Sequence, residues 1–337
     1  MSVKVKMKIL TLFVTASLFS GCFSEAALND KELAIWALQK HSANRFLNAS
    51  QALKKSVKAL CDAPTEEKLM QAQHLWLEAI KAWQPFVGGN SGNEAAMSVS
   101  WNIQFYPDKK NTTGRKLNQL LKKEAIPTAD ELSGQSVAVQ GLGAIEWLLF
   151  DEADVATTAT RCPLTVSVVN RTVQSSEALV SAWQSNPWRG ASGKQLEAQT
   201  LRGLTSQLDA ISKTLSLPMG KPGFPQPYQA QSWRSGQSNE LLRVGLVSLQ
   251  KRYESTLQPL LVEKGHVELA TRLESHFDMA VESVPTMPAM GPLLADKFGY
   301  QSLMVVANHI NYLQTAMSDE VGPTLGLVVG FNSTDGD

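Results

Sequence analysis

Apolar side chains recur at three- and four-residue spacing along nearly all of this 337-residue chain, and no stretch alternates between apolar and polar. That period belongs to amphipathic helices and restricts the fold to helices packed on one another. Residues 32–60 carry Trp36, Phe46, Leu53, Val57 and Leu60 on one stripe. A second helix is expected from Pro64-Thr65, with Leu69, Trp76, Ile80 and Trp83 inward, stopped by Pro85 and Gly88-Gly89. Residues 90–108, rich in Asn, Gly and Ser, read as a long irregular loop carrying Trp101, Phe105, Tyr106 and Pro107-Asp108. Helices follow over 114–124, from Pro127 on, and over 163–185 and 194–216. A four-proline loop (218–236) then precedes three more, with stripes through Leu246, Leu273 and Ile310. The Ala-, Thr- and Asp-rich residues 151–161 carry no stripe and read as the connection between two halves. The expected architecture is all-α: two antiparallel helical-bundle lobes, residues 31–155 and 156–337. Their similar size suggests an old duplication, although no residue-by-residue repeat is visible.

The first 21 residues have the form of an export signal. Lys4, Lys6 and Lys8 precede an apolar run from Ile9 to Phe19, too short to span a bilayer. The run ends in Leu18-Phe19-Ser20-Gly21-Cys22, similar to a bacterial lipobox, with Phe23 rather than Asp after the cysteine. Lipidation of Cys22, with residues 22–30 as a linker, would anchor a periplasmic protein to the outer membrane. Cleavage near Ser24-Glu25-Ala26 would instead release it soluble into the periplasm. The chain has 31 basic and 31 acidic residues. Loss of residues 1–21 removes three lysines and no acid, so the remainder has no basic footprint for nucleic acid. With Cys22 assigned to lipid, Cys61 and Cys162 remain. Two cysteines in an oxidising compartment most simply pair, closing a loop of about 100 residues; the alternative is two buried free thiols.

Chemistry-bearing patterns are few. There is no His-Glu-x-x-His, no Gly-x-Ser-x-Gly and no phosphate loop. In Gly141-Leu-Gly143-Ala-Ile-Glu146-Trp-Leu-Leu-Phe150, residues Leu142, Ile145 and Leu149 mark a buried stripe with an acid beside it. A carboxylate there is costly unless a cation or hydrogen-bond donors meet it, and the glycines permit close approach of a backbone or ligand. A structural acid at a close helix crossing is the plainer reading. Trp233-Arg234-Ser235-Gly236 places a guanidinium beside an aromatic, able to grip a carboxylate or phosphate, or to fasten its loop by an ion pair. Ser235 or Ser238 would cap the helix after it. The closing Gly330-Phe331-Asn332-Ser333-Thr334-Asp335-Gly336-Asp337 offers oxygen ligands for a hard cation.

Taken together, the Trp76/Trp83 helix, the Tyr106-Pro107-Asp108 turn, the Gly141–Phe150 segment, Trp233-Arg-Ser-Gly236 and the closing Gly-Phe-Asn-x-x-Asp-Gly-Asp resemble the imelysin-like family of exported bacterial proteins. The resemblance implies a two-lobed helical fold with a site at the lobe interface, links to iron-regulated uptake, and a metallopeptidase label. The family's Gly-x-His-x-x-Glu signature places its glycine on Gly141 and its glutamate on Glu146, while its histidine falls on Gly143. One carboxylate without an imidazole does not make the roughly three-ligand set of a zinc site. The sequence therefore predicts a non-catalytic protein. It would bind a metal ion, iron being the one the family implies, or a small ligand carrying one. Glu146, Gly141 and Gly143 come from one lobe, Arg234 and Ser235 from the other, and Asn332 and Asp335 from a docked tail, with Trp101 and Tyr106 as walls. The alternatives are a docking module for an inner- or outer-membrane transport component, and a metallopeptidase.

Overall fold

The computed structural model describes residues 30–152 and 154–327; Cys22 and the tail residues Asn332 and Asp335 lie outside the described residues. All regular structure among the described residues is helical apart from one isolated bridge between Lys221 and Phe224. The helices are α1 (Asp30–Asp62), α2 (Glu66–Trp83), α3 (Glu94–Ile103), α4 (Thr112–Leu121), α5 (Ala129–Ser133), α6 (Gly141–Phe150) and α7 (Val155–Ala182). They continue as α8 (Gly193–Met219), α9 (Ser238–Arg252), α10 (Gln258–Glu263), α11 (Val267–Glu282), α12 (Met290–Ala295) and α13 (Lys297–Ala316).

Two buried cores confirm the two-lobed, all-α expectation, but they divide further along the chain than residue 155. The first runs from Ala43 to Leu196 and takes in Leu164, Val168, Val169 and Leu179 of α7 together with Leu241. The second starts at Leu201 and holds α8, α9, α11 and α13. Residues 151–161 are accordingly not a connector. Asp154 caps α7 by accepting from the Thr157 N–H at 2.6 Å, so the helix starts eight residues before Pro163, which sits inside it. The stretch has no visible stripe because its buried positions are polar: Thr158 and Arg161. Residues 90–108 also differ from expectation. Asn93 caps α3 through its side-chain oxygen, leaving only residues 104–111 irregular before α4.

Apart from Gly143, helix α6 is buried from Leu142 to Leu149, as befits a largely apolar segment. The indole N–H of Trp76 donates to the Leu142 carbonyl at 2.9 Å, and Gln73 donates to the Leu149 carbonyl at 2.8 Å, so α2 grips both ends of it. In the second lobe, residues 253–257 and 317–321 widen to π-helical turns, each ending two residues before a proline (Pro259, Pro323). A proline ring clashes with the carbonyl four residues back, and the wider turn relieves it.

Cys61 at the end of α1 and Cys162 in α7 form a disulfide, with Cα atoms 5.5 Å apart and a sequence separation of 101. The bridge staples two helices of the first lobe. Replacing both cysteines by alanine should lower unfolding stability by about 3–5 kcal/mol on the chain-entropy account, read as a shifted urea midpoint that reductant no longer moves.

Candidate functional site

Glu146 projects from α6 at the seam between the lobes. Its side chain is 5% exposed, and its Oε1 accepts the backbone N–H of Ser235 at 2.9 Å. Ser235 lies in the 230–237 loop that leads into α9, and its hydroxyl donates to the Ser232 carbonyl at 3.0 Å, closing a tight turn. Neither Ser235 nor Ser238 caps α9, whose first turn carries no side-chain cap; the Ser235 hydroxyl is turned to the Ser232 carbonyl, and its N–H to Glu146. Burial pushes the Glu146 carboxyl above its ordinary value, against the opposing pull of the Ser235 N–H and the Arg234 charge.

Arg234 does not form its ion pair with Glu146. Its Nε meets Asp151 Oδ1 at 2.9 Å, its guanidinium donates to Asn111 Oδ1 at 2.7 Å, and it stacks over the Trp233 ring at 4.4 Å. Asp151 stands at the C-terminal end of α6, and its carbonyl also accepts from Arg161 at 2.7 Å. The loop is thus fastened twice to α6, once by its backbone to Glu146 and once by its guanidinium to Asp151.

A small polar cleft of about 40 Å³ opens beside Glu146, lined among others by Gln104, Asp108, Gly143, Gln229 and Ser232. Tyr106 walls it and donates to the Gln229 carbonyl at 2.9 Å, a further bond between the lobes; burial holds its hydroxyl well above the usual tyrosine value. Asp108 accepts the Thr112 and Thr113 backbone N–H groups at 2.7 and 2.9 Å. Against the cost of burial, those bonds hold it below the usual carboxylate range. Trp101 is not part of this lining: its ring is 52% exposed and leans on Phe105, which is.

The two glycines of the motif have separate jobs. Gly141 has φ +70°, and a Cβ there would run into the Ile103 and Asn102 carbonyls, so it is the crossing point of α6 with the end of α3 and not a cleft residue. Gly143 faces the cleft, where the nearest atom to an added Cβ is the Phe105 carbonyl oxygen at 3.8 Å. Gln104, Asp108, Asn111, Asp151, Gln229 and Ser232 went unassigned in the sequence, and only the Tyr-Pro-Asp turn and the Asp151 at the motif's end pointed toward them. Among the described residues no group of three or more His, Cys, Asp or Glu is placed to hold a metal ion.

The imelysin (peptidase M75) family model matches residues 37–317. No curated protein matches the sequence. Among solved structures, an imelysin-like protein from Psychrobacter arcticum superposes with a TM-score of 0.75 at 19% identity, over 90% of this chain and 99% of its own. A protein from Parabacteroides distasonis, named as an iron-regulated protein A precursor, superposes with a TM-score of 0.66 at 15% identity, over 90% of this chain and 96% of its own.

Two outcomes are expected from this geometry. Gly141→Ala should destabilise the fold by more than about 2 kcal/mol, from left-handed strain plus the carbonyl clash. Gly143→Ala should be neutral or stabilising by about 0.4–1 kcal/mol, since its helical backbone already suits alanine; urea unfolding of both variants checks the pair. Second, because the folded Glu146 pKa is raised, its stabilising contribution is full below the ordinary glutamate value and is lost as pH rises through the raised value. Glu146→Gln should remove that slope and match or exceed the parent in stability at neutral pH, measured as urea midpoint against pH.

Proposed function

Because this chain belongs to the imelysin family, we propose that it is a non-catalytic exported protein of metal uptake, taking a metal ion or a small ligand that carries one into the cleft between its lobes. The observation that carries this reading is the buried Glu146 carboxylate, supplied by the first lobe and met by a second-lobe backbone N–H at the edge of a polar opening. A cavity of about 40 Å³ has room for an ion with a few waters, since one water needs roughly 10–15 Å³ of the same measure, and none for a peptide. Carboxylate, amide and carbonyl oxygens make it a site for a hard cation.

A resident catalytic zinc does not fit the residues present. Glu146 and Asp108 are the carboxylates that line the cleft, both Asp108 oxygens are engaged by α4, and no imidazole or thiolate lines it. The position that would carry the family's histidine holds Gly143. Anchoring of Cys22 in the outer membrane belongs to the same proposal, and the Cys61–Cys162 disulfide suits an oxidising compartment. A second reading, docking of an inner- or outer-membrane transport component, draws support from Tyr228 and Trp233, which line the cleft while staying 47% and 43% exposed.

Elemental analysis of protein purified without chelators, followed by calorimetry with ferrous, ferric, zinc and copper ions, tests the proposal on the parent, Glu146→Gln and Gly143→His. Stoichiometric binding lost in a folded Glu146→Gln is expected, with Gly143→His gaining affinity because its imidazole enters the cleft. Absence of binding in every form would overturn the metal reading and favour the transport partner.

A further inference from the structure

A second seam between the lobes has the opposite electrical character. Helices α1 and α2 of the first lobe and α9 of the second enclose a cavity of about 310 Å³. Its walls carry His41, Arg45, Lys81, Lys251 and Arg252, and no carboxylate is among the lining residues. In a chain with equal numbers of acidic and basic residues, four permanent cations around one opening repel one another unless something anionic joins them. Arg252 is the least explicable on structural grounds alone. It is 7% exposed and donates to two backbone carbonyls, Gly89 and Gly203, each at 3.0 Å, with no acid beside it. Burial alone pushes its pKa down to about 10. Buried charges ordinarily find a counter-charge. Lys81 has one in Glu240 at 3.1 Å, with Glu78 at 3.6 Å, but Arg45 and Lys251 form no ion pair among the described residues.

We infer that this basic interlobe cavity binds a small polyanion, one whose carboxylate or phosphate oxygens bridge Arg45, Lys251 and Arg252. The volume lies at the lower end of small-molecule pockets, enough for a tricarboxylate or a diphosphate and too small for a folded partner. Guanidinium forks and ammonium groups converging from two lobes are the donors that such oxygens require. The site is separate from the Glu146 cleft: α9 starts next to the Ser235 loop and reaches Arg252 about 20 Å further on, at 1.5 Å per residue.

Calorimetry with citrate and with pyrophosphate tests the inference and tells carboxylate from phosphate preference. The double variant Arg45→Ala/Lys251→Ala changes two exposed side chains and should leave the fold intact, verified by its unchanged thermal transition. One-to-one binding of at least one probe is expected, weakened about tenfold or more in the double variant and unaffected by Glu146→Gln. That last arm separates this site from the metal cleft. No binding of either probe, or equal affinity in parent and double variant, would overturn the inference.

Discussion

The hydrogen bond from the Ser235 N–H to Glu146 carries the seam on which the rest of the structure is arranged. An ionisable carboxyl sits in the middle of an otherwise apolar helix, and burying it costs several kcal/mol unless donors meet it. The donors come from the other lobe. The loop that supplies them must therefore hold one shape, and it does so through local devices: Ser232 and Gly236 in left-handed conformations, the Ser235 hydroxyl on the Ser232 carbonyl, and Arg234 clamped between Asp151, Asn111 and the Trp233 ring. Removing the acid would relieve the burial cost but release the loop from one of its two fastenings. This is why a glutamine, which keeps the acceptor oxygen, is the informative replacement.

Gly141 and Gly143 serve different ends within one short motif. The first glycine is demanded by the backbone: φ +70° and the carbonyls of α3 leave no room for a side chain. The second is demanded by nothing nearby, and its open face points into the cleft. A family histidine at that position would hang where a ligand could meet both it and Glu146. With glycine at that position the cleft face stays open, and membership of the family fixes the fold without fixing one activity.

Much of this was legible in the sequence because helical periodicity reports burial directly. The stripes through Trp76, Leu142 and Leu246 all face cores, and the two-lobe plan followed from them. Where the sequence misled, polar residues were doing core work. The start of α7 buries Thr158 and Arg161, so it displayed no stripe, and Pro163 then looked like a helix start when it lies a third of the way along one. Helix α3 hid behind an Asn/Gly-rich run whose Asn93 is in fact its cap. The cleft was half legible. Glu146 and the Arg234 loop stood out by residue type, but their pairing did not, because choosing between Glu146 and Asp151 as the guanidinium's partner needs the path of a loop from another lobe. Trp101 was drawn in by its aromaticity and proves to be a surface ring next to the wall.

The two lobes meet through polar groups at two separated places, and α9 reaches both. Its N-terminal end receives the loop that bonds Glu146; its C-terminal end carries Lys251 and Arg252 into the basic cavity and then gives way to the π-helical turn at 253–257. Between them, Leu241 packs in the first core while Leu242, Leu246 and Leu249 pack in the second, so one helix is part of both. Glu146 and Asp108 line the opening at one end, with Arg234 beside them, and Arg45, Lys251 and Arg252 line the opening at the other. Ion pairs join the lobes at both places, Arg234 to Asp151 and Lys81 to Glu240, but adhesion alone does not call for the buried and unpaired Arg252, since such a charge destabilises an interface. Two openings of different size and lining suit the two proposals made for them, a small cation at one end and a larger anion at the other.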